Sequence, residues 1–164
     1  MGFEGSSLWR LRQTVGTDLV LWPGATVCVI RRDGRVLLAK RGDNGMWAMP
    51  GGGAEEGGSF AETALAELRE EVGLEAVEAD LSGYACISRA DNHVVTFANG
   101  DRTHYFGIWF ELRRWEGEPA ADGEEMTEVG WFDPQDPPEP LLDSTRLGLE
   151  LHREWLATGR FQAR

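Results

Sequence analysis

The sequence predicts one domain of the α/β or α+β class, and three observations carry that prediction. Short β-branched or aromatic runs alternate with turn residues along most of the chain. One strongly signalled helix interrupts them at residues 59–73, and another closes the chain. The length of 164 residues suits one hydrophobic core and is short for two.

The elements follow in order. Residues 1–20 read as an extension that packs on the domain through Leu8, Trp9, Leu11 and Val15, and residues 21–164 as the domain itself. Ala25 to Ile30 is a short buried strand; Asp33-Gly34 supplies a turn, and Arg35 to Lys40 returns as a second strand. Trp47 to Met49 is a brief extended piece ended by Pro50, followed by a loop of three glycines, Gly51 to Gly53. Ser59 with Glu62 three residues on is a capping box, and Gly73 stands where a helix C-terminus wants it. Between them Ala61, Leu65, Leu68 and Val72 recur at helical spacing as the core face. Gly83 to Ser88, Val94 to Ala98, Tyr105 to Trp115 and Val129 to Phe132 read as strands, with Asn99-Gly100 as a hairpin signal. Asp143 or Ser144 caps a last helix whose apolar positions are Leu147, Leu151 and Leu156, with Trp155 beside them.

Composition narrows the function. Sixteen basic against 28 acidic residues leave a net charge of -12. Such a chain lacks the basic footprint that grips a nucleic-acid backbone or an anionic membrane surface. Hydrophobic residues at 41%, with seven Trp and seven Phe, supply a core and exclude wholesale disorder. No apolar run reaches the roughly 18 residues of a membrane span, and the N-terminus has no secretory apolar segment. Cys28 and Cys86 lie far apart in apolar stretches and read as reduced thiols, so a cytoplasmic protein is expected. His93, His104 and His152 make no metal spacing.

The chemistry concentrates in the first long helix. Glu67, Glu70 and Glu71 fall within about 100° of one another on the helical wheel, opposite Leu65, Leu68 and Val72. Like charges at this spacing repel by about 0.2–0.5 kcal/mol per pair, and they sit near the helix C-terminus, where the dipole opposes negative charge. Divalent cations would relieve both penalties, and all-oxygen ligands point to Mg2+ or Mn2+; the alternative on the helix alone is a solvated acidic face. The preceding glycines permit close backbone approach to a ligand and can present N–H groups to phosphate oxygens. Together these features suggest metal-assisted displacement at phosphorus.

The stretch Gly52 to Leu74, GGAEEGGSFAETALAELREEVGL, resembles the signature of the Nudix hydrolases, G-x5-E-x7-R-E-U-x-E-E-x-G-U with U a bulky apolar residue. Gly52, Glu67, Leu68, Glu70, Glu71, Gly73 and Leu74 match in register, and residues 43–51 look like the family's approach to the motif. The resemblance covers most of residues 20–157 and implies a Nudix-type α/β/α sandwich with a mixed sheet. It implies a Mg2+- or Mn2+-dependent pyrophosphohydrolase of a nucleoside diphosphate linked to another moiety. Trp115 to Pro119 also resembles the MutT-type triphosphatases.

Residue by residue, the resemblance implies Glu67 as an orienting acid or base, Glu70 and Glu71 as metal ligands, and a further acid from a later loop. Residues 116–128 hold six acids and no base; Glu125 is favoured there, with Glu124 close behind. The catalytic set is then Glu67, Glu70 and Glu125, and the metal set Glu67, Glu70, Glu71, Glu125 and Gly52. Gly51, Gly52, Gly53, Trp47 and Tyr105 are the candidate substrate contacts. Two signature positions depart: Gly58 stands where the family has Glu, and Ala66 where it has Arg. Losing both together leaves no orphan charge but weakens the hold on Glu70. The rival reading is therefore a catalytically weak Nudix-fold nucleotide-binding or sensor module. The partner expected is a small nucleotide derivative, with no nucleic acid and no membrane, and the aromatic-rich strands leave room for a homodimer surface.

Overall fold

Alternating side chains on two central strands, β1 (Leu19–Val29) and β2 (Val36–Arg41), feed two separate cores. Successive residues of a strand face opposite ways. Val27 and Val29 of β1 and Leu37 and Ala39 of β2 pack with one core, while Cys28 and Leu38 pack with the other. The computed structural model describes residues 4–89, 93–97 and 99–164.

The remaining elements are α1 (Ser7–Val15), β3 (Trp47–Ala48), β4 (Gly51–Gly53), α2 (Phe60–Val72), β5 (Leu81–Ile87), β6 (Val94–Thr96), β7 (Arg102–Leu112), β8 (Met126–Phe132), α3 (Asp143–Thr158) and β9 (Gln162–Ala163). β1 runs parallel to β7 from Leu19 opposite Arg102 to Val29 opposite Leu112. The larger sheet has the order β4-β1-β7-β5-β9, with β6 on β7; the smaller is β3-β2-β8. Ala64, Leu68 and Val72 of α2 close the first core, and Leu149 and Leu151 of α3 close the second. The arrangement is the α/β/α sandwich with a mixed sheet that the sequence leads one to expect. No helix among the described residues is long and apolar enough to cross a membrane.

The structure differs from the sequence reading in several elements. The turn at Asp33-Gly34 is present, with the Arg31 N–H donating to Arg35 O at 2.9 Å. Beyond the Ile30–Val36 bridge, however, β2 leaves β1 and pairs with β8 and β3 in the other sheet. Turn chemistry fixes the reversal, but pairing is settled by which core each face must reach. Gly51 to Gly53 is a strand, not a loop, held against Thr26, Ala25 and Gly24 of β1. β1 starts at Leu19, within the supposed extension. Residues Ser7 to Val15 form a helix, which the weak apolar pattern did not specify. β7 ends at Leu112, short of Trp115, and α3 starts after Leu142 with no side-chain cap. Asp143 in its first turn complements the helix dipole instead. Ala98 of the expected β6 strand lies outside the described residues. The strand itself runs from Val94 to Thr96 and pairs antiparallel with β7 around the Asn99-Gly100 turn.

Candidate active site

α2 is built as its sequence demands. Ser59 accepts from the Glu62 N–H at 3.1 Å while Glu62 accepts from the Ser59 N–H at 2.8 Å, and Gly73 closes the helix in the left-handed region at φ 68°. Its rotation is what the wheel missed. The buried residues are Thr63, Ala64, Leu68, Glu71 and Val72, whereas Ala61 and Leu65 are only half-buried. The core stripe is therefore shifted toward the carboxylates, and the three acids do not share one exposed face.

The reason is β4. α2 packs against β1 and β4, and a strand without side chains leaves room for acids beneath the helix. A β-carbon on Gly52 would stand 2.3 Å from Glu67 Oε1, so that carboxylate fills the space any side chain there would need. The Gly51 N–H donates to Glu71 Oε2 at 2.8 Å. Glu71 is 3% exposed. Burial, reinforced by the Glu67 charge, pushes its carboxyl well above the usual range, against the pull of the Gly51 N–H and Arg41. Burial, with help from the Glu125 charge, pushes Glu67 up to about 7, and Arg41 again opposes. Glu70 lies on the solvent side, its carboxylate 3.4 Å from Arg69 Nη2.

Among the described residues, no group of three or more His, Cys, Asp or Glu side chains converges closely enough to hold a metal ion as it stands. The chemistry of the site nevertheless fits a hard cation. Burial opposes the charge of both carboxylates, one helical turn apart, and the Glu67 charge adds to the rise at Glu71; either a proton or a cation relieves them.

Glu125 stands exposed in the loop before β8. Asp122 accepts from the N–H groups of Glu124, Glu125 and Met126, and the Glu125 carbonyl accepts from the Gly42 N–H at 2.8 Å. This fastens the loop to the end of β2 and brings the Glu125 charge to bear on both Glu67 and Glu71. Glu128 instead pairs with Lys40 at 2.7 Å. Tyr105 is half-buried and feels the charges of Arg41 and Glu67. Trp22 lies under Gly53, where a β-carbon would meet its Nε1 at 2.8 Å. Trp47 belongs to the α3-side core: it is 9% exposed and meets Phe132 edge-on at 4.8 Å. Its apolar ring is worth more in packing than at a substrate mouth, which accounts for that placement.

Arg41 was not among the sequence candidates. Asp43 grips it with two hydrogen bonds of 2.9 Å, and its charge reaches Glu67, Glu71 and Tyr105. The available signal was the acid two residues after a basic strand end, which reads as turn chemistry when the partner strands are unknown. Gly58 forms a tight turn, its N–H donating to Glu55 O at 3.0 Å, and Ala66 is half-buried.

A family model described as the NUDIX domain matches residues 20–151. The chain belongs to the Nudix domain family. The Nudix hydrolase YvcI of Bacillus subtilis (strain 168) is 30% identical over 115 residues, 68% of this chain and 66% of that protein. The nucleoside triphosphatase NudI of Salmonella newport (strain SL254) is 36% identical over 89 residues, 51% of this chain and 62% of that protein. The matches thus span less than two thirds of the length of these curated relatives. The crystal structure of a MutT Nudix hydrolase from Burkholderia pseudomallei is similar with a TM-score of 0.67 at 26% identity, over 80% of this chain and 98% of that one. In this Nudix domain the box glycine Gly52 and the box glutamates Glu67 and Glu71 are among the groups that meet between β4 and α2, while Glu70 stays on the solvent side.

Proposed function

We propose that this Nudix domain hydrolyses a nucleoside diphosphate linked to another moiety, with Mg2+ or Mn2+, by attack of water at phosphorus. The observation that carries the reading is the seating of half-buried Glu67 and buried Glu71 against the Gly51–Gly52 backbone, with no lysine or arginine paired directly to either among the described residues. Glu67 and Glu71, joined by Glu70, would hold the cation, which when bound lowers the pKa of water and offsets phosphate charge. Glu67, whose carboxyl burial raises to about 7 in the metal-free fold, is the orienting acid or base of this reading, and a bound cation would favour its ionised form. Glu125, whose charge acts on both Glu67 and Glu71, is the further acid from a later loop, and the backbone of Gly52 and Gly53 supplies the wall for the diphosphate. Tyr105 of β7 feels the charges of Glu67 and Arg41 and is the candidate substrate contact from that strand. NudI, which is named a nucleoside triphosphatase, is consistent with a nucleotide substrate.

The test is a panel of nucleoside triphosphates, nucleotide sugars, ADP-ribose and dinucleoside polyphosphates incubated with Mg2+ or Mn2+, with released nucleotide and phosphate measured. Metal-dependent release that disappears in Glu71→Gln is the expected result. Tight binding without turnover would replace the hydrolase with a nucleotide-binding or sensor module.

A further inference from the structure

The loop that joins β4 to α2 carries Glu55 and Glu56 and leads into the helix that holds Glu67. Its two ends are secured by the Ala54 N–H, which donates to Pro23 O at 2.9 Å, and by the Ser59 capping box. The middle has lost the acid that the Nudix box places at residue 58, and α2 has lost the arginine at residue 66. The structure fastens the middle from the other side.

Ser7 opens α1, and its N–H donates to Glu55 Oε1 and Oε2 at 3.1 and 3.0 Å. Its hydroxyl donates to Glu55 Oε2 at 2.7 Å and accepts from the Glu56 N–H at 3.1 Å and from Arg10 Nη2 at 2.9 Å. One donor and two acceptors are all that a hydroxyl offers, so Ser7 is fully used. Arg10 also stands 3.6 Å from the Glu56 carboxylate. The positive end of a helix favours a carboxylate there.

The far end of α1 is anchored in the sheet. The buried Arg12 guanidinium donates to the carbonyls of Gly16, Asp18 and Arg102 and to Thr103 Oγ1, with Asp101 at 3.7 Å, and Leu8 is 7% exposed. α1 therefore spans from the start of β7 to the acidic loop. Glu55 in turn is one of the charges that act on Glu67.

We propose that α1 is a strap that holds the β4–α2 loop in register, with Ser7 as a positioning residue acting through Glu55 in place of the missing box pair. The kinetic part of this inference rests on the hydrolase reading above; the mechanical part does not.

Two measurements on the full chain test it. Amide hydrogen exchange reads the loop directly, and steady-state kinetics with Mg2+ and the preferred substrate of the panel read its consequence. In Ser7→Ala, amides 54–58 should exchange about tenfold faster while those of the α2 core stay unchanged. kcat should fall about three- to tenfold with KM unaltered, as expected for a displaced catalytic group rather than lost binding. Ser7→Thr should keep both values, and adding Gly58→Glu with Ala66→Arg to Ser7→Ala should restore kcat. Unchanged exchange in Ser7→Ala would overturn the proposal, as would faster exchange with unchanged kcat. Equal losses in Ser7→Thr and Ser7→Ala would overturn it too. If the wild-type protein turns over nothing in the panel, the hydrolase reading alone has failed, and the exchange data still decide whether α1 holds the loop.

Discussion

The Glu67 carboxylate sits where a side chain on Gly52 would have to be, with only 2.3 Å between Glu67 Oε1 and the position of a β-carbon. The glycine is thus part of the glutamate's geometry. Gly52→Ala should displace Glu67 by about an ångström and lower turnover by about 100-fold, since positioning errors of that size are costly in catalysis. The thermal midpoint, by contrast, should move by only a few degrees. Single-turnover rates and melting curves on the same variant check both halves.

Glu71→Gln keeps an acceptor for the Gly51 N–H and removes a carboxyl whose ionisation burial opposes. The metal-free variant should be more stable by about 1–3 kcal/mol, because relieving a buried charge at a functional site commonly stabilises. Mg2+-dependent turnover should fall at least about 100-fold. Denaturation in EDTA, paired with the hydrolysis assay, reads this trade-off; a variant that is less stable and fully active would contradict it.

The raised pKa of Glu67 sets a pH dependence with a definite sign. Its ordinary value of 4.5 becomes about 7 in the fold, through burial first and the Glu125 charge second. Between those values the folded form holds a proton that the unfolded chain has lost, so folding is favoured as the pH drops. The penalty is complete above pH 7, absent below about 4.5, and on the order of 3 kcal/mol. Metal-free protein should therefore melt higher at pH 6 than at pH 8. Saturating Mg2+ should weaken or reverse that trend, because a cation favours the ionised carboxylates. Melting curves at both pH values with EDTA and with Mg2+ provide the comparison.

A second carboxylate behaves oppositely. Burial alone would raise the Glu111 pKa, but hydrogen bonds from His152 at 2.7 Å and from Arg113 at 2.7 and 2.8 Å outweigh it and hold the group at about 2. Its stabilisation is present above its ordinary value of 4.5 and is lost as the pH falls toward 2. Glu111→Gln should cost about 2–4 kcal/mol at neutral pH and flatten the acid limb. Urea midpoints of both proteins across that range show whether this buried pair ties β7 to α3.

Much of the site was legible in the chain because it is encoded locally. The capping box Ser59–Glu62, the terminator Gly73 and the spacing from Gly52 to Glu67, Glu70 and Glu71 are short-range patterns, and α2 forms as they require. What local periodicity could not show was which side of α2 turns inward. Its apolar stripe tolerates a rotation, and the side-chain-free strand β4 selects the rotation that buries Glu71 and leaves Glu70 outside.

Trp47 and Arg41 illustrate the same limit. Trp47, next to the motif in sequence, packs in the α3-side core, and Arg41 reaches the acids through space. The sequence by itself determined the family, the helix that carries the acids and the glycines that precede it, because all of these are written in one contiguous stretch, Gly52 to Leu74, by fixed spacing. Only the tertiary structure decided which acids are desolvated, that β2 leaves β1 for the other sheet, and that Ser7 meets Glu55, 48 residues away. Those outcomes depend on which surfaces the two cores must bury, and no local pattern carries that information.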